Sequence, residues 1–415
     1  MTNDSYQELG IIPPNKKITF YIFIFVPLGY PILLLFMKYN GIMPQLFMPN
    51  DFQAYYYSSQ LLFKDIASLY NNPGYIMPYR YFPTSPIFFI FYGWLPYEIS
   101  YNIGLFLIYY ESVIIYLLVL KITKKYFNHN DKEYIWLFYC IGYMILVPYN
   151  LILYLQIQTS ATVMISILLA YYYFKEDGHR LSNEILGGIF ISIAIMLKPT
   201  MLIVLPFLID VKVENKKLLF KKSSFIRILP SFVMLFLNLI LFIIYPSLFF
   251  GFIQNNFQNI YVFNVLSDSL STFLSRILNI HPVFLFFLIF SMLFSILYYH
   301  FLTKKNDLIY YLALSILISL ISYIDIWNHS ILFLLPLILF IIMRTKSHKD
   351  KSKLKIIYYI TFAISWINVF NFYFSVAVFN FYYSIFTLYY PILFVIMYFR
   401  GHPKLFFTEE FEMHS

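Results

Sequence analysis

Long apolar runs, separated by short clusters of basic residues, constrain this chain more than any other feature. Only 12% of the residues are charged, whereas a soluble domain carries about 25%. A run of about 20 apolar residues crosses the hydrocarbon core of a bilayer as a helix, because its backbone polar groups must pair within the segment. The sequence therefore predicts a polytopic membrane protein of the all-α class.

The apolar runs predict about twelve transmembrane spans and one shorter segment. The spans are expected at residues 18–37, 99–120, 134–150, 159–174, 184–197, 199–210, 225–247, 282–301, 308–323, 330–343, 356–374 and 380–398. The stretch between Pro86 and Pro96 is too short for a ~30 Å hydrocarbon core, so we predict a re-entrant or interfacial segment there. The expected architecture is a transmembrane helical bundle that forms a single integral membrane domain over residues 1–415.

The distribution of basic residues predicts the orientation of the bundle. With both termini in the cytoplasm, 24 of the 29 lysines and arginines fall in cytoplasmic segments, as the positive-inside rule predicts. The exceptions are Lys38, Lys64, Arg80, Lys198 and Arg276. Two large loops, residues 38–85 and 248–281, are then extracytoplasmic, and we expect the functional site on that side.

Composition and motifs exclude several classes of function. The net charge of +9 comes from short clusters between spans and not from a polar domain, so no nucleic-acid partner is expected. Cys140 is the only cysteine, which excludes an internal disulfide and a cysteine-based zinc site. The Walker, HExxH, GxSxG and DxD patterns are missing, which argues against ATP-driven transport, hydrolase chemistry and metal-dependent use of nucleotide sugars.

Asp51 is the main candidate for a catalytic residue. It lies in the longest interruption of the apolar pattern and is followed by three tyrosines at residues 55–57. An enzyme that deprotonates an acceptor at a bilayer surface needs one carboxylate in a pocket rimmed by aromatic side chains. The structural alternative is an N-cap for a short amphipathic helix over residues 52–64, because aspartate is favoured at that position.

Three basic residues on the outer side are candidates for binding a phosphate. Lys198 separates two apolar runs just before Pro199; it either snorkels to the headgroups or holds a lipid-linked phosphate. Arg80 has a donor fork that suits phosphate oxygens, although an ion pair with a neighbouring carboxylate is an equally ordinary explanation. Arg276 shares the second large loop with Asp268, where a salt bridge between helical turns is the simpler interpretation.

A third group of polar residues, Asp325, Trp327 and His329, lies in a short break between apolar runs. An isolated histidine is usually structural, and one histidine beside one aspartate is too sparse for a metal site. Their position on the predicted outer face makes them candidates for lining a substrate pocket.

Four segments resemble the C-type (GT-C) membrane glycosyltransferases, in particular the polyprenol-phosphate-mannose-dependent α-mannosyltransferases of bacteria and archaea. In chain order these segments are residues 50–56, 81–86, 197–199 and 327–329. Within residues 81–86, two extra residues stretch the Tyr-x-Pro-Pro spacing of that family. The likeness extends to about residue 330, whereas the last two spans match only in hydrophobicity.

The resemblance implies a GT-C-like fold and inverting transfer of a hexose, mannose in that family, from a polyprenyl-phosphate donor to an extracytoplasmic glycolipid or glycan acceptor. Asp51 would take the proton of the acceptor hydroxyl, and Lys198 with Arg80 would hold the donor phosphate. The further candidates are Arg276 for the phosphate, and Tyr55, Tyr56, Tyr81, Asp325, Trp327 and His329 for the sugar or acceptor pocket. A glycosyl phosphate is already activated, so no cofactor is expected.

Two other classes of function stay open. A transporter or flippase of lipid-linked sugars would place charged residues at mid-membrane, whereas most ionisable groups here fall at the ends of spans. A non-catalytic scaffold would use Asp51 only as a helix cap. Richness in Ile, Lys, Asn, Tyr and Phe is typical of a low-GC prokaryotic genome, so the expected location is the plasma membrane of a prokaryote.

Overall fold

A computed structural model describes residues 11–42, 51–75, 78–127, 129–146, 157–176, 180–214, 217–258, 269–303, 307–324, 334–345, 347–374 and 379–401. These residues form mainly helices, namely α1 (Lys17–Tyr39), α2 (Asp51–Lys64), α3 (Ile90–Gly93), α4 (Tyr97–Tyr126), α5 (Asp131–Leu146), α6 (Ser160–Lys175), α7 (Leu181–Leu197), α8 (Lys222–Ile244), α9 (Pro246–Ile253), α10 (Leu270–Leu278), α11 (Pro282–Thr303), α12 (Leu308–Ser322), α13 (Leu335–Arg344), α14 (His348–Phe374) and α15 (Phe379–Arg400).

One short antiparallel hairpin interrupts the helical architecture. Strand β1 (Val211–Glu214) pairs with β2 (Lys217–Phe220), with Val211 opposite Phe220 and Glu214 opposite Lys217. The all-α prediction did not include this hairpin, because strands this short carry too little periodicity to be told from a loop.

Four of the described helices, α1, α4, α8 and α11, are long and apolar enough to cross a membrane. Shorter apolar helices accompany them at Leu181–Leu197, Pro199–Leu208, Leu308–Ser322, Leu335–Arg344 and Thr387–Arg400. Helices of this length and composition identify a membrane protein. The count of about twelve spans stays a prediction, since the shorter helices require tilt or a thinner bilayer to cross.

The helices differ in how much apolar surface they expose. Helix α12 is buried along its whole length after Leu308. Helices α8 and α11, by contrast, expose large side chains such as Phe236 at 61% and Phe284 at 61%. A helix that is apolar all round belongs either in a core or against lipid. We therefore place α12 in the centre of the fold, and α8 and α11 at its lipid-facing surface.

The segment before α4 is a short helical structure, as the prolines predict. A 3-10 helix, Ser85–Phe89, leads directly into α3, and both together are too short to span a bilayer. The segment packs on α2, where the Tyr56 hydroxyl donates to the carbonyl of Leu95 at 3.0 Å. Gly93 lies so close to Ser59 of α2 that any Cβ atom at Gly93 would collide with its hydroxyl. Helices α2 and α3 thus form one packed unit.

The predicted break at Lys198 is present. Helix α7 ends at Leu197, Lys198 has an extended backbone (φ −146°, ψ 95°), and a 3-10 helix begins at Pro199. Proline disfavours a helical conformation in the residue before it, which explains why α7 ends here. The break places a lysine between two apolar helices.

A buried ion pair ties α7 to α8. Arg227 donates to both carboxylate oxygens of Glu184, from Nε at 2.7 Å and from Nη2 at 3.0 Å. Its Nη1 also donates to the carbonyl of Leu208 at 3.2 Å. Removing one partner of a buried pair leaves an uncompensated charge and destabilises a fold by about 3–5 kcal/mol. The ion pair therefore holds α7, and with it the break at Lys198, in a defined position.

Candidate functional site

Asp51 is the first residue of α2 and is partly buried. Its Oδ2 atom accepts a hydrogen bond from Nε2 of Gln158, which lies just before α6. Gln158 is itself buried, with 2% of its surface exposed. The sequence analysis did not identify Gln158 as a site residue. The polar residues at 158–160, at the start of an apolar run, could have indicated it. The hydrogen bond fixes the direction of the carboxylate, since one of its oxygens is held by a side chain from another element.

The residue before Gln158 has an unusual backbone. Ile157 has a positive φ of 48°, a conformation that a β-branched side chain rarely adopts. Such residues cost about 1–3 kcal/mol and persist only where the surrounding structure holds them. Ile157 packs against Gly104 of α4, where an added Cβ would lie 2.6 Å from the Ile157 side chain. The bare backbone at Gly104 therefore makes room for the side chain of Ile157, the residue just before Gln158.

Two cations act on the Asp51 carboxyl. Burial raises the pKa of Asp51 above its ordinary value, whereas the positive charges of Lys198 and Arg80 lower it. Burial is the largest of these effects, so the net pKa of Asp51 is raised. Lys198 and Arg80, both nominated from the sequence as phosphate ligands, thus lie near enough to Asp51 for their charges to act there. A carboxylate and two cations from three separate parts of the chain converge.

Tyr55 and Tyr81 form an aromatic wall beside this carboxylate. Their hydroxyl oxygens are 2.7 Å apart, and Tyr55 stacks on Phe89 with ring centroids 4.5 Å apart. Burial raises the pKa of Tyr81, and the negative charge of Asp51 raises it further, which places Tyr81 close to the carboxyl. The two tyrosines come from α2 and from the loop after it, so the wall forms only when that loop folds back.

Tyr56 has a different environment from its neighbour Tyr55. Its hydroxyl bonds the Leu95 carbonyl, and its ring packs against that of Tyr97 with the centroids 5.2 Å apart. These contacts belong to the packing of α2 on Leu95 and on the start of α4. A role for Tyr56 in a sugar or acceptor pocket stays a prediction.

The backbone around Arg80 is held by two neighbouring asparagines in the turn after α9. Asn255 donates to the carbonyl of Tyr79 at 3.1 Å, and Asn256 donates to the carbonyl of Arg80 at 3.2 Å. The hydroxyl of Tyr323 in turn donates to the side-chain oxygen of Asn256 at 3.0 Å. Sequence reasoning did not single out these asparagines, because their partners are distant in the chain. These two asparagines, near the start of the second large loop, therefore fix the backbone at Arg80.

The remaining candidates lie apart or outside the described residues. Arg276 is exposed in the last turn of α10, and its phosphate-binding role stays a prediction. Asp325, Trp327 and His329 fall in residues 325–333, which lie outside the described part of the chain. Within the described ranges, the structure contains no group of three or more His, Cys, Asp or Glu side chains arranged to hold a metal ion.

Comparison with protein-family models, with curated proteins and with solved structures finds no match to this chain. The chemistry available at the site around Asp51 is proton abstraction by a carboxylate, beside two cations suited to an anionic group.

Proposed function

We propose that this protein is an inverting glycosyltransferase. It moves a hexose, mannose in our interpretation, from a polyprenyl-phosphate donor to a glycolipid or glycan acceptor, with Asp51 as the general base. The observation that carries the proposal is the convergence of Lys198 and Arg80 on the buried Asp51 carboxyl. One carboxylate for the acceptor and cations for the leaving phosphate are the groups that such a reaction requires.

The reaction is a single displacement at the anomeric carbon. The acceptor oxygen attacks that carbon, its proton passes to the Asp51 carboxylate, and the bond from the carbon to the phosphate oxygen breaks. The polyprenyl phosphate leaves with the electron pair, and Lys198 and Arg80 stabilise the negative charge that develops on it. Attack from the side opposite the leaving group inverts the configuration, and one carboxylate suffices because no covalent glycosyl intermediate forms.

The electrostatics of the site suit this role for Asp51. Burial raises its pKa, and a carboxylate whose pKa lies nearer the working pH is a more effective general base. The hydrogen bond from Gln158 to Oδ2 fixes the orientation of the Asp51 carboxylate. The buried Tyr55 and Tyr81, whose hydroxyl oxygens are 2.7 Å apart, form a rigid wall beside this carboxylate. Each group contributes orientation, which accelerates a reaction between two bound substrates.

The membrane context supports a lipid-linked donor. The long apolar helices set the chain in a bilayer, which is also where a polyprenyl-linked donor is held. In the proposed orientation both termini are cytoplasmic and the site faces the outside of a prokaryotic plasma membrane. The orientation rests on the distribution of lysine and arginine.

The decisive experiment measures sugar transfer in membranes that contain the full chain. The membranes are supplied with radiolabelled polyprenyl-phosphate mannose and an extract of host lipids and glycans. Transfer by the wild type that disappears in Asp51→Asn, but persists in the matched control Asp65→Asn, supports the proposal. Asp65 is an exposed carboxylate in the same loop. Equal transfer by Asp51→Asn and the wild type would remove Asp51 from the mechanism.

One observation favours a second candidate, a transporter or flippase of lipid-linked sugars without glycosyl transfer. Glu111 lies in the middle of α4 and accepts a hydrogen bond from Thr162 of α6 at 2.5 Å. Among the described residues its other carboxyl oxygen is buried and has no hydrogen-bond partner. Carboxyl groups within membrane spans often mark the path of an ion or substrate. Movement of the donor lipid across vesicles that depends on Glu111, and not on Asp51, would identify this activity.

A further inference from the structure

Helices α14 and α15 enclose an apolar groove that is separate from the site around Asp51. The groove has a volume of about 500 Å³, which is within the range of small-molecule sites. Its lining consists of Lys353, Ile356, Ile357, Val395, Ile396, Phe399 and Arg400. Ile356 is 58% exposed and Val395 is 51% exposed, so the groove opens toward the surroundings of the protein.

The charged groups of this groove lie together at one end. Lys353 is near the start of α14 and Arg400 ends α15, and Arg400 also lies 3.3 Å from a carboxylate oxygen of Asp350. These three groups leave a net charge of about +1 at the mouth, since the carboxylate offsets one cation. The sequence places this end of both helices at the cytoplasmic surface, because basic residues cluster there.

Two neighbouring lysines of α14, Lys351 and Lys355, contact helix α5 and do not line the groove. Lys351 forms an ion pair with Glu133 of α5 at 2.7 Å. Lys355 lies over the ring of Trp136, 4.3 Å from its centroid. Lys353 is therefore distinguished from these two lysines by its position in the groove.

We propose that this groove binds an anionic phospholipid, with the phosphate between Lys353 and Arg400 and an acyl chain along the apolar lining. A phosphodiester carries one negative charge, which complements the net positive charge at the mouth. The apolar wall beyond the cations argues against a purely polar ligand, because such a ligand would leave the apolar side chains without an apolar partner. Basic pockets between membrane helices on the cytoplasmic side are suited to lipid headgroups.

The test is a titration of the purified full-length protein with phosphatidylglycerol or phosphatidylcholine, with bound lipid counted by native mass spectrometry. Wild-type protein should bind phosphatidylglycerol more tightly than phosphatidylcholine. The double replacement of Lys353 and Arg400 by glutamine should weaken phosphatidylglycerol binding roughly 25-fold, at roughly fivefold for each cation lost near the surface. Lys355→Gln removes the same charge outside the groove and should leave binding unchanged.

A second variant keeps the proposal testable if the double replacement does not fold. Asp350→Asn removes the carboxylate beside Arg400, so the affinity for phosphatidylglycerol should rise roughly fivefold. Equal affinity for the two lipids, or equal binding by the wild type and the double variant, would overturn the proposal. Displacement of the lipid by millimolar glycerol phosphate would overturn it too, because the headgroup alone would then account for binding.

Discussion

Replacement of Asp51 by asparagine should slow the proposed sugar transfer by orders of magnitude while it stabilises the fold. Asparagine has nearly the same shape as a neutral aspartic acid, so α2 can still begin at this position. Its side-chain oxygen can still accept the hydrogen bond from Gln158. It cannot take a proton from an acceptor hydroxyl. The variant therefore removes the base and keeps the local contacts.

The loss of rate follows from the role of the base. Proton abstraction by a positioned side chain accelerates a reaction by roughly 10²–10⁴-fold. This factor corresponds to about 3–5 kcal/mol of the activation free energy, at about 1.36 kcal/mol for each tenfold change. If Lys198 and Arg80 bind the donor as proposed, the variant keeps that binding, and the loss should appear in kcat more than in KM.

The gain in stability follows from the raised pKa of Asp51. The folded state holds the proton more tightly than the unfolded chain, whose Asp pKa is about 3.9. Stability of the wild type therefore falls as pH rises through the folded-state pKa. Asparagine has no such titration, so Asp51→Asn should melt at a higher temperature than the wild type at neutral pH. The two melting temperatures should converge at acid pH.

The assay combines transfer of labelled mannose with thermal unfolding in detergent, from acid to neutral pH. Retained transfer would refute the assignment of Asp51 as the base. Lost transfer together with a lower melting temperature at neutral pH would refute the electrostatic reasoning, since Asp51 would then be a structural anchor for the two cations. Asp65→Asn serves as the control for both measurements.

Three further predictions concern the site and its support. Lys198→Met removes a charge that lowers the pKa of Asp51, so the acidic limb of the pH–rate profile should move to higher pH, as measured by initial rates. Gly104→Leu should reduce transfer, because its side chain collides with that of Ile157, the residue just before Gln158. Gly29→Ala adds a carbon that meets no atom within 4 Å and should leave transfer unchanged. Glu184→Gln should lower the free energy of unfolding by about 3 kcal/mol, measured by denaturation, because it removes the carboxylate that accepts from both Nε and Nη2 of the buried Arg227. The Asp210 carboxylate, 3.9 Å away, still offsets part of the arginine charge.

Local sequence signals predicted part of this structure. Hydrophobic runs located α1, α4, α8 and α11, since a span of the bilayer requires a long apolar segment. Proline explained the break after Leu197 and the short helices before α4. The residue types of Asp51, Arg80 and Lys198 marked each as unusual in an apolar chain. None of these signals specified which charges would meet.

Long-range packing decided the rest. Gln158 bonds Asp51 across 107 residues of the chain, and the side chain of the preceding Ile157 packs on Gly104. Periodicity along one helix carries no information about either contact. The hydrogen bond from Asn256 to the backbone carbonyl of Arg80 likewise joins two segments that are distant in the chain. Such contacts depend on how separate elements pack together, and the spacing of residues along one helix does not predict that packing.

The sequence by itself determined that the chain is helical, enters a membrane and carries a few isolated polar residues, because the cost of exposing backbone and charge to lipid acts on each segment separately. Only the tertiary structure decided that Asp51, Arg80 and Lys198 share one site. Their meeting depends on helices that are distant in the chain and are brought together by apolar contact and a few buried hydrogen bonds.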